Sequence, residues 1–118
     1  MTELEESLRA GADVNMANKN GFTLLMSFIQ NGDIESIKVL LRYGARLNLK
    51  DSRNFTAMDY AIKANNLEIV QLLVENGAIV SGDNYMLALH IKNKEIVEFF
   101  DHLDPDKHIF LKNKKKYT

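Results

Sequence analysis

Gly11-Ala12-Asp13-Val14-Asn15, Gly44-Ala45-Arg46-Leu47-Asn48 and Gly77-Ala78-Ile79-Val80-Ser81 are three versions of one short phrase, and their glycines are spaced by 33 residues. A constant period of roughly 20 to 50 residues is typical of stacked supersecondary units, none of which can bury its apolar face alone. The phrase therefore predicts a repeat architecture. At 118 residues the chain is long enough for one domain of this kind.

The segments between these glycines predict pairs of short helices. Thr23 and Thr56 lie one period apart, each directly before apolar residues at helical spacing, which indicates that both are N-caps. Asp33 and Asn66 are then expected to cap the second helix of each pair. The predicted helices run over 2–10, 23–30, 34–43, 57–64, 67–76, 84–92 and 94–103.

The third unit is shorter than the other two. Its helical residues 94–100 align with residues 67–73 at an offset of 27, so six residues are missing after Ser81. At that offset Thr56 corresponds to Asp83, and we expect Asp83 to cap the helix 84–92. The deletion then falls on the turn-rich segment before this helix, and both helices of the unit are retained.

This pattern resembles the ankyrin repeat family over about residues 2–103. The shared features are the 33-residue period, the Gly-Ala-x-Val/Leu-Asn phrase, an Asn/Asp-x-x-Gly/Asn-Phe-Thr turn, and the run Leu67-Glu68-Ile69-Val70 before two leucines and a Gly-Ala pair. The resemblance implies a mainly α solenoid of L-shaped units, each with two antiparallel helices and a short β-hairpin finger. It also implies that partners are proteins.

The expected organisation is an ankyrin repeat domain over 1–106 and a basic C-terminal tail over 107–118. The domain comprises a half-repeat over 1–15 and three repeats over about 16–48, 49–81 and 82–104. The chain departs from the family at the Thr-Pro-Leu-His motif, which reads Thr23-Leu24-Leu25-Met26 and Thr56-Ala57-Met58-Asp59. Because the resemblance implies that the histidine ties neighbouring loops together, its absence predicts a looser stack.

Charge is unevenly distributed along the chain. Residues 107–118 carry five lysines and no acid, whereas residues 1–106 have a net charge of −6. The tail is predicted to be a solubilising end. The alternative is contact with nucleic acid or an acidic membrane through Lys112–Lys116. No apolar run approaches the ~18 residues of a membrane span and no signal-peptide pattern follows Met1, so the cytoplasm is the predicted location.

The sequence contains no recognisable catalytic motif. A phosphate-binding loop, a nucleophile elbow and a His-Glu-x-x-His zinc motif are all missing, so the chain is predicted not to be an enzyme. The alternation His102-x-Asp104-x-Asp106-x-His108 offers four potential metal ligands. His102 falls on a predicted helix and Pro105 breaks the path, however, so we expect neither a metal site nor another cofactor.

The predicted function is non-enzymatic binding of another protein, identity unknown, by the concave surface that the fingers and first helices form. Phe22 and Phe55, one period apart, either anchor the partner or pack locally against the neighbouring finger. Two alternatives are a small inhibitor or immunity-type protein whose acidic body covers a basic toxin or enzyme, and a basic-tailed adaptor. The predicted protein-binding residues are Lys19, Asn20, Phe22, Met26, Gln30, Ser52, Arg53, Phe55, Asp59 and Lys63, with Met86 and His90 as the corresponding residues of the third unit.

Overall fold

The computed structural model describes residues 2–104, which form seven α-helices arranged in two rows. The inner row consists of the first helices of the three repeats, α2, α4 and α6, and neighbouring members of this row pack side by side. The outer row consists of α1 and the second helices α3, α5 and α7, each second helix pairing with the first helix of its own repeat. The helices are α1 Glu3–Arg9, α2 Leu24–Asn31, α3 Ile34–Arg42, α4 Ala57–Lys63, α5 Leu67–Glu75, α6 Gly82–Ile91 and α7 Lys94–Asp101.

The predicted N-caps begin most of these helices. The hydroxyls of Thr23 and Thr56 accept the backbone N–H of the residue three positions later, and Asp33 and Asn66 do the same with their side-chain oxygens. Each cap satisfies one of the backbone donors that a helix start leaves without a partner. Gly44 follows the end of α3 with φ +83°, as expected for a glycine that stops a helix.

The cap of the third repeat differs from the prediction. Ser81, not Asp83, begins α6: its hydroxyl accepts the N–H of Asn84, and the side-chain oxygen of Asn84 accepts the N–H of Ser81. This reciprocal pair satisfies two donors at once, which a cap at Asp83 would not. Asp83 instead lies in the first turn, where a carboxylate interacts favourably with the helix dipole. The deletion therefore removes the loop before α6 and leaves the helix longer than α4.

The fingers are turns rather than the expected β-hairpins. Within residues 2–104 the only β-type pairing is a single bridge between Ala17 and Thr23. In the first finger, Asn18 accepts the N–H groups of Asn20 and Phe22 with its side-chain oxygen. Asp51, one period later, does the same in the second finger. Side chains of this type compete with ladder hydrogen bonds, which explains why the loops close locally. We call residues 16–22 finger 1 and residues 49–55 finger 2.

The core lies between the two helical rows. Ile29, Ile62, Leu73 and Phe100 are completely buried, so each repeat contributes to one continuous apolar interior. No helix in the described part of the chain is both long and apolar enough to span a bilayer.

Hydrogen bonds between repeats replace the expected histidine ties. The carboxylate of Asp59, which stands at the histidine position of the second repeat, accepts a hydrogen bond of 2.7 Å from the side-chain amide of Asn84 in the third. Finger 2 donates the Ser52 N–H to the Asn20 carbonyl oxygen of finger 1 at 2.7 Å. The repeats are therefore joined by direct hydrogen bonds without the histidine, and the looser stack stays a prediction.

Candidate binding surface

Most of the predicted binding residues lie on the finger side of the molecule, but they differ in accessibility. Six of them are exposed, three are half-buried and one is buried. The exposed residues are Lys19, Asn20, Gln30, Ser52, Arg53 and Lys63; the half-buried ones are Phe22, Phe55 and Asp59; the buried one is Met26.

Met26 is a correction to the predicted surface. Its side chain is only 1% exposed, and its sulfur accepts the backbone N–H of Thr23 at 3.5 Å. The Met26 side chain thus completes the reciprocal cap with Thr23 at the start of α2, and it packs in the core. A partner cannot reach it, so Met26 stabilises the first repeat and is removed from the candidate surface.

Phe22 and Phe55 pack against one ring, that of Tyr60. Their ring centroids lie 5.5 and 5.7 Å from the Tyr60 centroid, and both contacts are edge-to-face. Such geometry is the favoured arrangement of aromatic pairs. Of the two roles predicted for these phenylalanines, local packing between the fingers is the one that the geometry favours. The remaining accessible part of each ring still borders the surface.

Asp59 also has structural partners on both of its oxygens. Oδ2 accepts the backbone N–H of Thr56 at 2.9 Å and so completes the cap of α4. Oδ1 accepts the side-chain amide of Asn84 at 2.7 Å. Removing this carboxylate would therefore loosen both the start of α4 and its link to the third repeat, whatever a partner contacts.

A buried carboxylate beneath the fingers is the feature that sequence reasoning missed. Asp51 is 9% exposed and accepts hydrogen bonds from the hydroxyl of Tyr60 and from the backbone N–H groups of Arg53 and Phe55. Burial by itself raises the pKa of the Asp51 carboxyl, but these donors outweigh burial and hold the pKa below its usual value. Its 33-residue spacing from Asn18 was the available signal for the turn, although not for the contact with Tyr60.

Finger 1 and finger 2 enclose an open cleft of about 400 Å³. Its walls are mainly polar, and Arg53 supplies a positive charge at one side. Two cations lie near the Phe55 ring, with the Lys63 Nζ atom 3.8 Å and the Arg53 Cζ atom 5.7 Å from its centroid. The lining residues are Asn18, Asn20, Phe22, Gln30, Asp51, Ser52 and Arg53.

A second cleft, of about 310 Å³, occupies the place where a third finger would lie. Lys50 and Asn54 of finger 2 form one wall, and Asp83 and the 58% exposed Ile79 belong to the other. Met86 and His90 of α6 are exposed on the same repeat. The shortened third unit therefore leaves one side of finger 2 open, whereas finger 1 covers its other side.

The metal-ligand alternation falls partly outside the described residues. His102 ends α7, and its Nδ1 lies 2.7 Å from the carbonyl oxygen of Glu98, which orients the ring along its own helix. Asp106 and His108 lie outside the described residues, as does the basic tail. Within residues 2–104 no three histidine, aspartate or glutamate side chains are grouped as metal ligands.

Comparison with known proteins identifies the repeat. A sequence family described as ankyrin repeats in three copies matches residues 2–84. The helical pairing continues past this match, because α6 ends at Ile91 and α7 extends to Asp101. Among curated proteins, none matches the sequence. The matched region covers well over half of the chain, so the protein belongs to the ankyrin repeat family, whose members generally act as protein–protein interaction modules and typically are not enzymes.

Proposed function

We propose that this protein binds another protein through a surface formed by finger 1, finger 2 and the adjoining ends of α2 and α4, without catalysing a reaction. The observation that carries the proposal is the cleft between the fingers. Exposed polar and charged side chains form its rim, and hydrogen bonds within and between the fingers hold its backbone in place. Asn20, Gln30, Ser52 and Arg53 line this cleft and are exposed. The exposed Lys19 and Lys63 lie next to it in sequence or space, Lys19 on finger 1 and Lys63 at the end of α4 close to Phe55 of finger 2.

The backbone beneath this rim favours rigid-body recognition. Each finger is closed by a side-chain acceptor at its base, and the two fingers are joined by the Ser52 N–H to Asn20 carbonyl bond. Tyr60 lies beneath both fingers and contacts Phe22 and Phe55. A preorganised loop surface loses less conformational entropy on binding than a mobile one, so these internal contacts favour affinity.

Site-specific photo-cross-linking in extracts of the source cell tests the proposal. Benzoylphenylalanine is placed at Asn20 or Ser52 on the fingers, and at Glu35 or Glu68 on the outer helices as matched controls. All four side chains are exposed, and the bond between the fingers uses backbone atoms, so the fold is retained. We expect one protein to be cross-linked from both finger positions and from neither control. Cross-links from the outer helices alone would contradict the proposal.

A second candidate is an inhibitor or immunity-type protein that covers a basic toxin or enzyme with its acidic side. The supporting observation is the charge of the outer row, where α1, α3, α5 and α7 carry nine acidic and four basic residues. The same experiment separates the two candidates, since this one requires a basic partner cross-linked from Glu35 and Glu68. The basic-tailed adaptor is a third candidate and depends on residues 107–118. Its test is retention on DNA or anionic vesicles, which should depend on salt and be lost when residues 112–118 are deleted.

A further inference from the structure

The finger side and the outer helices differ in charge. Lys19, Arg53 and Lys63 are exposed on or beside the fingers. Finger 1 contains no acid. The acids nearest in sequence to Arg53 and Lys63 are Asp51 and Asp59, and both accept internal hydrogen bonds: Asp51 from Tyr60 and two backbone N–H groups, and Asp59 from the α4 cap and Asn84. The finger surface is therefore locally positive on a body whose outer row is negative.

Within residues 2–104 these cations are not neutralised by ion pairs. Neither Lys19 nor Lys63 forms an ion pair with a carboxylate in the described part of the chain. Arg53 is close enough to Asp51 to act on it electrostatically, but the carboxylate of Asp51 already accepts three hydrogen bonds. Arg53 thus brings positive charge to the wall of the cleft, and Lys63 lies near it at the Phe55 ring, so both can attract a negative group.

The aromatic ring of Phe55 gives two of these cations a defined position. The Lys63 ammonium lies over the ring at 3.8 Å, and the Arg53 guanidinium lies 5.7 Å from the same centroid. Contacts of this type are attractive and restrict long side chains that would otherwise sample many rotamers. The two charges are consequently presented together beside the cleft.

The uncharged rim suits a polypeptide main chain. Asn20, Gln30 and Ser52 are exposed, line the cleft, and offer amide and hydroxyl groups that can both donate and accept hydrogen bonds. An extended segment rises about 3.3 Å per residue, so about eight residues cross the molecule's 26 Å width. A short strand-like segment with carboxylate side chains would satisfy both the amides and the cations.

We propose that the cleft between finger 1 and finger 2 binds an extended acidic segment of the partner protein, with Lys19, Arg53 and Lys63 contacting its carboxylates. This inference rests on the proposed function and specifies the chemistry of the partner. A peptide is favoured over nucleic acid because the positive area is limited to one cleft and the outer helices would repel a long polyanion.

Selection from a random peptide library tests the proposal on the full chain. Phage displaying peptides of about eight residues are selected on the wild-type protein, on Lys19→Gln/Arg53→Gln/Lys63→Gln, and on the matched control Lys38→Gln/Arg42→Gln/Lys94→Gln. Both triple variants remove two lysines and one arginine from exposed positions, so their net charges are equal. Circular dichroism confirms that each variant is folded.

We expect peptides rich in Asp and Glu from the wild type and the control, and about tenfold weaker binding of those peptides to the finger variant. Their affinity should fall as salt is raised. Neutral or basic peptides, equal binding by the finger variant, or no enrichment would overturn the inference. So would a single-stranded DNA of similar length that binds as tightly as the acidic peptides. The cross-linking experiment would still decide the proposed function in each of these cases.

Discussion

The second and third repeats place a tyrosine at the same point but give its hydroxyl different partners. Tyr60 and Tyr85 each lie four residues after the capping hydroxyl of their repeat. Tyr60 donates to Asp51 of finger 2, whereas Tyr85 donates to Asp101 of α7 at 2.6 Å. A buried phenol needs an acceptor. Where the finger is missing, the outer helix supplies the carboxylate, so the shortened repeat still gives its tyrosine an acceptor, in a partly buried bond.

The two fingers share a left-handed backbone conformation at one turn position but differ in the space around it. Gly21 has φ +72° and Asn54, one period later, has φ +69°. A Cβ atom on Gly21 would lie 3.2 Å from the Asp51 Cα atom, because finger 2 packs against this side of finger 1. Asn54 borders the open cleft left by the shortened repeat and is exposed. The backbone conformation is shared, and the adjacent finger decides whether a side chain fits.

The largest effect is expected from removing the carboxylates that hold the two tyrosines. Asp51→Ala leaves the Tyr60 hydroxyl and two backbone N–H groups without their acceptor, and should lower the free energy of unfolding by about 2 to 4 kcal/mol. Asp101→Ala, at a half-buried position, should cost about 1 to 2 kcal/mol. Urea unfolding followed by circular dichroism measures both, since the chain has no tryptophan. A larger loss of unfolding free energy for Asp101→Ala than for Asp51→Ala would contradict the view that Asp51 holds more buried donors than Asp101 does.

An exchange of residues between the two turns should be asymmetric. Gly21→Asn retains a residue that tolerates left-handed backbone but places its Cβ against finger 2, and should destabilise the fold by about 1 to 2 kcal/mol. Asn54→Gly removes a side chain that contacts no third finger, and should change stability by less than about 0.5 kcal/mol. Thermal unfolding of the two variants is the measurement. Equal effects would show that the backbone conformation alone sets the preference.

Both tyrosines should make stability depend on alkaline pH. Burial, followed by the nearby Asp101, raises the pKa of Tyr85 from 10.0 to about 12, and burial followed by Asp51 raises that of Tyr60. The unfolded chain releases these protons from about pH 10, whereas the folded protein retains them. Stability is therefore fully present below pH 10 and lost as pH rises toward 12. In Tyr85→Phe this loss should be smaller than in the wild type; an unchanged pH profile would count against it.

The smallest effect on stability is expected at the positive rim. Lys63→Gln removes a charge that lies over the Phe55 ring at an exposed position, and should cost no more than about 1 kcal/mol. The matched variant Lys38→Gln, on an outer helix, should be close to neutral. The same urea experiment measures both. A loss of several kcal/mol at Lys63 would mean that the cation supports finger 2, and would weaken its assignment to partner binding.

The helical framework was predictable because its signals are local. Thr23, Thr56 and Asp33 cap helices within their own segments, and the left-handed conformation of Asn54 follows from its register with Gly21. Ser81 was misassigned because a constant offset of 27 assumes that α6 keeps the length of α4. The reciprocal cap with Asn84 instead extends the helix toward its N-terminus.

The candidate site was predictable at its rim but not beneath it. Lys19, Ser52 and Arg53 are exposed as expected for finger residues. Met26 and Asp59 occupy equivalent positions, yet one is buried by its own cap and the other bonds to the next repeat. The direction of such side chains depends on packing between repeats, which a pattern within one repeat does not contain. The contact of Asp51 with Tyr60 was missed for the same reason.

The rate of hydrogen exchange at the Ser52 amide measures how stably finger 2 is bonded to finger 1. Ser52 lies on an exposed loop, where a backbone N–H would normally exchange with solvent deuterium rapidly, but its proton is held by the carbonyl oxygen of Asn20. Exchange at this one position therefore requires the fingers to separate or the whole domain to unfold. Its protection factor, compared with that of a core amide, reports the free energy of separating finger 1 from finger 2. A partner bound across both fingers would slow that exchange, so occupancy becomes measurable at a single amide.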